Sequence, residues 1–310
     1  VWMCFSLSAQ KIIDLSGKWS FSIDRQDNGE KEKWFSHTLN DCINLPGSMP
    51  EKLKGDEVTA KTQWTGSLYD SSYYYNPYME KYRKEGNIKF PFFLTPDKHY
   101  VGAAWYQKEV NIPADWKGER ILLFLERPHI ETTVWVNGQK TGMQNSLCVP
   151  HQYDITHYVR PGKCTITIRV DNRIKEINVG PDSHSITDQT QGNWNGIVGR
   201  ICLQTTPKTY FDDIQIYPEP EQKLARVKVV IKGTGTAKVK LSAESFNTDK
   251  KHIVPAIQQE IKLNKGVTET EMVLPMGNDM LLWDEFHPAL YKLKAEVTNG
   301  KKTEIKEIQF

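Results

Sequence analysis

The densest run of groups able to bind a ligand is VDNRIKEINVGPDSHSITDQTQGNWNG, from Val170 to Gly196. Carboxylates, planar amides and one ring are the usual means of holding a polyol. Asp188, Gln189 and Asn193 suit the hydroxyls, Trp194 suits the apolar face of a pyranose, and Asn195 completes the set of sugar-binding candidates. The same residue types also suit a loop that braces itself against its own backbone, and the sequence leaves both readings open.

Other constellations carry less. His129 and Glu131 stand two apart, as a surface pair on one side of a strand would. His151, Asp154 and His157 lack the i, i+4 helical spacing of H-E-x-x-H and follow Pro150, which fits turns better than a metal site. His184, between Ser183 and Ser185 and near Asp182, has no G-x-S-x-G elbow to make a nucleophile. Gly233-Thr234-Gly235 has no helix behind it, and no G-x-x-x-x-G-K loop occurs. No catalytic residue, metal site or nucleotide cofactor is expected from these residues.

The elements that must position the candidates are strands. Trp19, Phe21 and Ile23 alternate with polar residues, as do Tyr106, Val110 and Ile112, then Ile121, Leu123 and Leu125, then Ile166, Ile168 and Val170. Asn137-Gly138 follows a strand and reads as a type I′ hairpin turn. Trp19, Trp105 and Trp135 fall in alternating strands as core or edge packing. Residues 64–100 interrupt the rhythm with eleven rings, including Tyr73, Tyr75 and Tyr78, either a loop packed by its own side chains or a surface for sugars. The prolines and charges of YPEPEQK, 217–223, suggest a boundary. The expectation is an all-β chain: a signal-peptide remnant at 1–9, a jelly-roll-like β-sandwich over 10–218 and an immunoglobulin-like β-sandwich over 219–310.

Bulk composition narrows the partners. A net charge of +2, from 40 basic and 38 acidic residues without long runs, gives no footprint for nucleic acid. No stretch approaches the ~20 apolar residues of a membrane span, so membrane insertion is not expected. VWMCFSLSAQ reads as the end of an export signal cleaved after Ala9, which points to a periplasmic or secreted protein. Cys42, Cys148, Cys164 and Cys202 show no C-x-x-C spacing and read as buried free thiols.

Four stretches in this order resemble the N-terminal part of glycoside hydrolase family 2, the β-galactosidases, β-glucuronidases and β-mannosidases: LSGKWSFSID with LPGSM; AWYQKEVNIPADWKGERILLFLERPHIETTVWVNG; PHQYDITHYVRPGKCTITIRVDNR with QGNWNGIVGRICLQTTPKTYFDDIQIYP; and LLWDEFHPALYKLKAEV. The detail of LERPHIETTVWV with DQTQGNWNGIVGR is most similar to exported enzymes of gut Bacteroidetes. The resemblance implies a sugar-binding domain whose loop, with Asp188 and Asn193, approaches the substrate. It also implies an immunoglobulin-like domain, and then a (β/α)8 barrel bearing the two catalytic glutamates, of which this sequence contains nothing. On that reading the chain is cut at both ends, its partners are a carbohydrate and the missing C-terminal barrel, and the barrel does the chemistry. A complete, stand-alone lectin-like protein and a purely structural sandwich are the rival expectations.

Overall fold

A computed structural model describes residues 11–62, 71–89, 95–147, 149–175 and 192–310. The chain divides into two compact units, 12–205 and 206–310.

The first unit is a sandwich of two sheets. One runs β3 (Asp41–Leu45), β2 (Gly17–Asp24), β5 (Ala103–Ile112), β10 (Gly162–Asp171), β7 (Glu131–Val136), β8 (Gln139–Asn145). The other runs β1 (Ile12–Asp14), β11 (Gly196–Thr206), β6 (Arg120–His129), β9 (His151–Asp154), with β4 (Gly47–Ser48) also on β11. The alternating residues meet in one core: Trp19 and Phe21 from β2, Tyr106, Val110 and Ile112 from β5, Ile121, Leu123 and Leu125 from β6, and Ile166, Ile168 and Val170 from β10. Asn137 and Gly138 lie at φ 50° and 78°, the positive values a type I′ turn demands, and connect β7 to β8 directly. Asn137 suits the place doubly, because its side chain accepts from Thr165 N at 2.9 Å and donates to Tyr158 O at 3.2 Å.

Strand β5 breaks simple alternation by being buried on both faces. Tyr106 enters the main core, whereas Trp105 packs outward with Trp135 and Leu39 in a satellite cluster covered by Trp34 and Phe35. The rings of Trp105 and Trp135 are 4.9 Å apart, and Phe35 stacks on Trp135 at 5.2 Å. Strand-alternation rules place these indoles on one side of a sheet; the loop 34–39 is what makes that side a second core.

The described part of the ring-rich interruption buries Tyr73 but leaves Tyr75 71% and Tyr78 84% exposed, so it is neither wholly self-packed nor wholly open. Helix α1 (Ser72–Tyr75) and a 3-10 turn over Pro77–Arg83 are joined by Asn76, whose side chain caps Tyr78 N. Tyr73 is fully buried, its hydroxyl donates to Tyr82 O at 3.1 Å, and Arg83 donates to Tyr73 O. Trp64, Tyr69, Phe90, Phe92 and Phe93 lie outside the described residues.

The second unit comprises β12 (Tyr210–Glu219), β13 (Leu224–Phe246), β14 (Ile253–Pro275), β15 (Leu290–Asn299) and β16 (Lys302–Gln309). Strand β13 is 23 residues long; it pairs first with β12 through Leu224–Lys232 and then with β15 through Lys238–Phe246, with β14 on its other side. The change falls at a register shift between Gly233 and Gly235, the latter at φ 86°. Val227, Val229 and Ile231 before the glycines share one core with Val239 and Leu241 after them.

The expected boundary at residue 218 is corrected. Tyr210–Glu219 pairs with β13 and belongs to the second unit, so the division falls near 205/206. YPEPEQK is the turn inside that hairpin, with a 3-10 turn at Pro220–Gln222. Pro218 is tolerated because β12 is an edge strand, where a missing N–H leaves no ladder gap. The thiols are corrected in one case: Cys164 and Cys202 are buried and free, but Cys42 is exposed, on β3 at the edge of its sheet.

Candidate functional site

Strand β10 ends at Asp171 and β11 begins at Gly196, so the candidate run leaves and re-enters the sandwich at one end. Three asparagines hold the two feet of that run. Asn195 is completely buried; its amide donates to Gly102 O and Val170 O, both at 2.9 Å, and its carbonyl accepts from Tyr106 Oη at 2.7 Å. Asn172, also completely buried, donates to Tyr100 O at 2.8 Å and accepts from Gly102 N at 2.8 Å. Asn193, 7% exposed, donates to Asn172 O at 3.0 Å and accepts from Asn172 Nδ2 at 3.1 Å. Glycine is required next door: a Cβ on Gly196 would stand 2.5 Å from Gly47 O, where β4 meets β11.

Above this lattice sits the pair His129 and Trp194. Their rings stack at 4.5 Å and 19°, and both are half-buried. His129 Nε2 is 3.1 Å from Asn193 Oδ1. Because Asn193 gives its amide N–H to Asn172 O, the oxygen faces the histidine, and the neutral imidazole carries its proton on Nε2 to donate there. Burial pushes the imidazole down to about 4, against the opposing pull of that hydrogen bond, so His129 is neutral at pH 7.

Beside it lies a six-membered ion network that the sequence reading missed. Arg169, 8% exposed, reaches Asp27 at 2.7 Å, Asp171 at 3.0 Å and Glu131 at 3.4 Å. Arg173 joins Asp27 and Asp171, each at 2.6 Å, and Lys175 joins Asp171 at 2.8 Å and Glu131 at 2.9 Å. Burial works to raise the Asp171 carboxyl, but hydrogen bonds from Arg173 and Lys175 and the charge of Arg169 outweigh it and hold the group far below the usual carboxylate range. Three cations against three anions leave a neutral, stiff rim. Asp27 and Asp171 stay ionised at neutral pH and cannot serve there as proton donors. The available signal was Asp171-Asn172-Arg173 directly after an alternating strand, but pairing with Asp27 spans a separation that spacing does not reveal.

The candidates therefore divide. Asn195, expected to contact sugar, is a brace, because a side chain with no exposed surface and every hydrogen-bonding group used has nothing to offer a ligand. Asn193 is mainly a brace as well, holding Asn172 and His129. Trp194 is half-buried and stacked on His129. Asp188 and Gln189 lie outside the described residues, as do Asp182, Ser183, His184 and Ser185. Glu131 pairs with Arg169 and Lys175 rather than with His129. His151 is completely buried, bonded to Thr132 Oγ1 at 2.6 Å, and Asp154 caps Thr156 while pairing with Arg120, so both serve local structure. Among the described residues no group of three His, Cys, Asp or Glu is placed to hold a metal, and no helix is long and apolar enough to cross a membrane.

Comparison with known proteins gives two adjoining family matches: residues 12–207 to glycosyl hydrolases family 2, sugar binding domain, and residues 209–310 to glycosyl hydrolases family 2. The chain is similar to the β-glucuronidase of Homo sapiens, 24% identical over 92% of this chain and 41% of that one. It is similar to the β-glucuronidase of Paenibacillus borealis, 24% identical over 94% and 43%. A β-galactosidase of Thermoanaerobacter pseudethanolicus is 23% identical over 68% and 28%. The fold is that of Ruminococcus gnavus β-glucuronidase solved in complex with D-glucuronic acid: TM-score 0.59, 18% identity, 97% of this chain and 45% of that one. The chain thus spans less than half the length of these relatives.

Proposed function

Because the chain belongs to glycosyl hydrolases family 2, we propose that it is the noncatalytic N-terminal portion of an exported, retaining β-glycosidase of the β-glucuronidase or β-galactosidase type. The first unit shapes the sugar pocket from one side, and the second supports a catalytic (β/α)8 barrel supplied by the C-terminal half. The observation that carries this reading is that the two family matches tile residues 12–310 in order, while the relatives they lead to are more than twice as long. In this chain the contribution to sugar binding is one of position. The asparagine lattice pins both feet of the 173–192 run, the ion network stiffens its base, and Trp194, seated on neutral His129, offers a ring where that run returns to the sheet. Asp188 and Gln189 remain the proposed hydroxyl ligands on the run itself.

The test is hydrolysis of aryl β-glucuronides, β-galactosides and β-mannosides by the 310-residue chain and by the complete gene product. Turnover by the complete product alone supports the reading and names the sugar. Turnover by the short chain places a catalytic centre within these 310 residues and ends it. Glycan binding by the short chain, with no turnover in either, favours a stand-alone lectin-like protein.

A further inference from the structure

Three large apolar side chains stand out from the second unit on one short loop: Leu282 is 59% exposed, Trp283 61% and Phe286 80%. The loop is held in shape. Trp283 and Pro288 form an antiparallel bridge, and Asp284 Oδ1 accepts the backbone N–H groups of Phe286 at 2.8 Å and His287 at 2.7 Å. A turn fixed by its own aspartate keeps Phe286 outward, so these side chains cannot fold back to cover themselves. Apolar surface gathered and held in this way is characteristic of an interaction site.

The foot of the loop is tied to the last residue of the chain. Leu281 N donates to Tyr291 Oη at 2.9 Å, and Tyr291 exchanges backbone hydrogen bonds with Phe310 at 2.9 and 3.0 Å. The rings of Tyr291 and Phe310 stack at 5.7 Å. Polypeptide following Phe310 therefore starts beside this loop. A patch of three side chains is small for a free partner, but tethering raises the local concentration of a following segment to the order of millimolar, where little contact area suffices.

We propose that Leu282, Trp283 and Phe286 are the surface on which the C-terminal half following Phe310 docks against the second unit. The inference rests on the reading above that such a half exists. It is tested by hydroxyl-radical footprinting, read by mass spectrometry at Trp283 and Phe286, in the 310-residue chain and in the complete gene product. Oxidation of both rings should fall by about five-fold or more in the complete product, as expected for side chains at the dry centre of an interface. In the complete product, the double variant Trp283→Ser/Phe286→Ser should speed proteolytic cleavage just after residue 310, while Val267→Ser, 52% exposed on β14 of the same unit, should not. Equal oxidation in the two lengths, a reading frame that stops at Phe310, or protection that grows with the concentration of the short chain alone would each overturn the proposal, the last in favour of a second copy. Unchanged oxidation in a product that hydrolyses glycosides sinks the docking surface alone; protection without hydrolysis sinks the proposed function alone.

Discussion

The two units solve the same packing problem with different materials. Residues 12–205 bury, among others, Asp24, His151, Arg169, Asp171, Asn172, Asn193 and Asn195, whereas the buried polar residues in 206–310 are Thr209 and Thr268. The second unit is a long-stranded sandwich around a mainly aliphatic core with few buried polar groups. The first accepts the cost of desolvating amides and charges at one end, where Arg169, Asp171, Asn172, Asn193 and Asn195 are each paired, because an unpaired one would cost about 1–3 kcal/mol. Buried polar groups are thus concentrated where a loop must be held in one shape, and are few where the fold only has to span a distance.

The sharpest way to break this contrast is Asp171→Ala. It strips Arg169 and Arg173 of their shared carboxylate and leaves a buried guanidinium short of charge, so the first unit should lose about 4 kcal/mol. Urea unfolding followed by tryptophan fluorescence checks this, since Trp283 is the one indole of the second unit. A loss below about 1 kcal/mol would reduce the network to a solvated surface cluster. Asn195→Ala should cost about 3 kcal/mol in the same assay, with the Tyr106 hydroxyl left without its acceptor and two carbonyls each losing a donor. Neither change should move the melting of residues 206–310.

Protonation provides a gentler probe. His129 titrates at about 4 when folded against 6.5 ordinarily, so the unfolded chain binds the proton more readily and the folded state favours the neutral ring. That stability is fully present above pH 6.5, is lost as pH falls from 6.5 to 4, and amounts to about 2 kcal/mol after allowing for a ring only half-buried. His129→Gln should flatten the stability profile of the first unit across that window. Asp171, held low, contributes a separate loss that begins only below pH 4. An unchanged slope in His129→Gln would detach the histidine from the lattice. The smallest effect expected is Asn137→Ala, about 1 kcal/mol, from one strained positive φ and two side-chain hydrogen bonds at the hairpin.

Period-two alternation was enough to determine that the chain is all-β, which faces of β2, β6 and β10 turn inward, and where β7 turns into β8, because a strand's side-chain period and the φ of Asn-Gly are local properties. The family resemblance was likewise legible in four stretches of sequence. What local pattern could not decide was partnership. It placed Asn193 and Asn195 among sugar ligands because an amide that braces a backbone and an amide that binds a hydroxyl are the same group; only Gly102, Val170 and Tyr106, brought up from distant strands, make the difference. It read YPEPEQK as a break because prolines disrupt central strands, and only the sheet order reveals that β12 lies at an edge. It paired His129 with Glu131 by spacing, where the fold gives one to Trp194 and Asn193 and the other to Arg169 and Lys175. Tertiary structure alone settled these, since hydrogen bonds and ion pairs across a sandwich depend on distances in space that sequence separations of 21 to 146 residues do not encode.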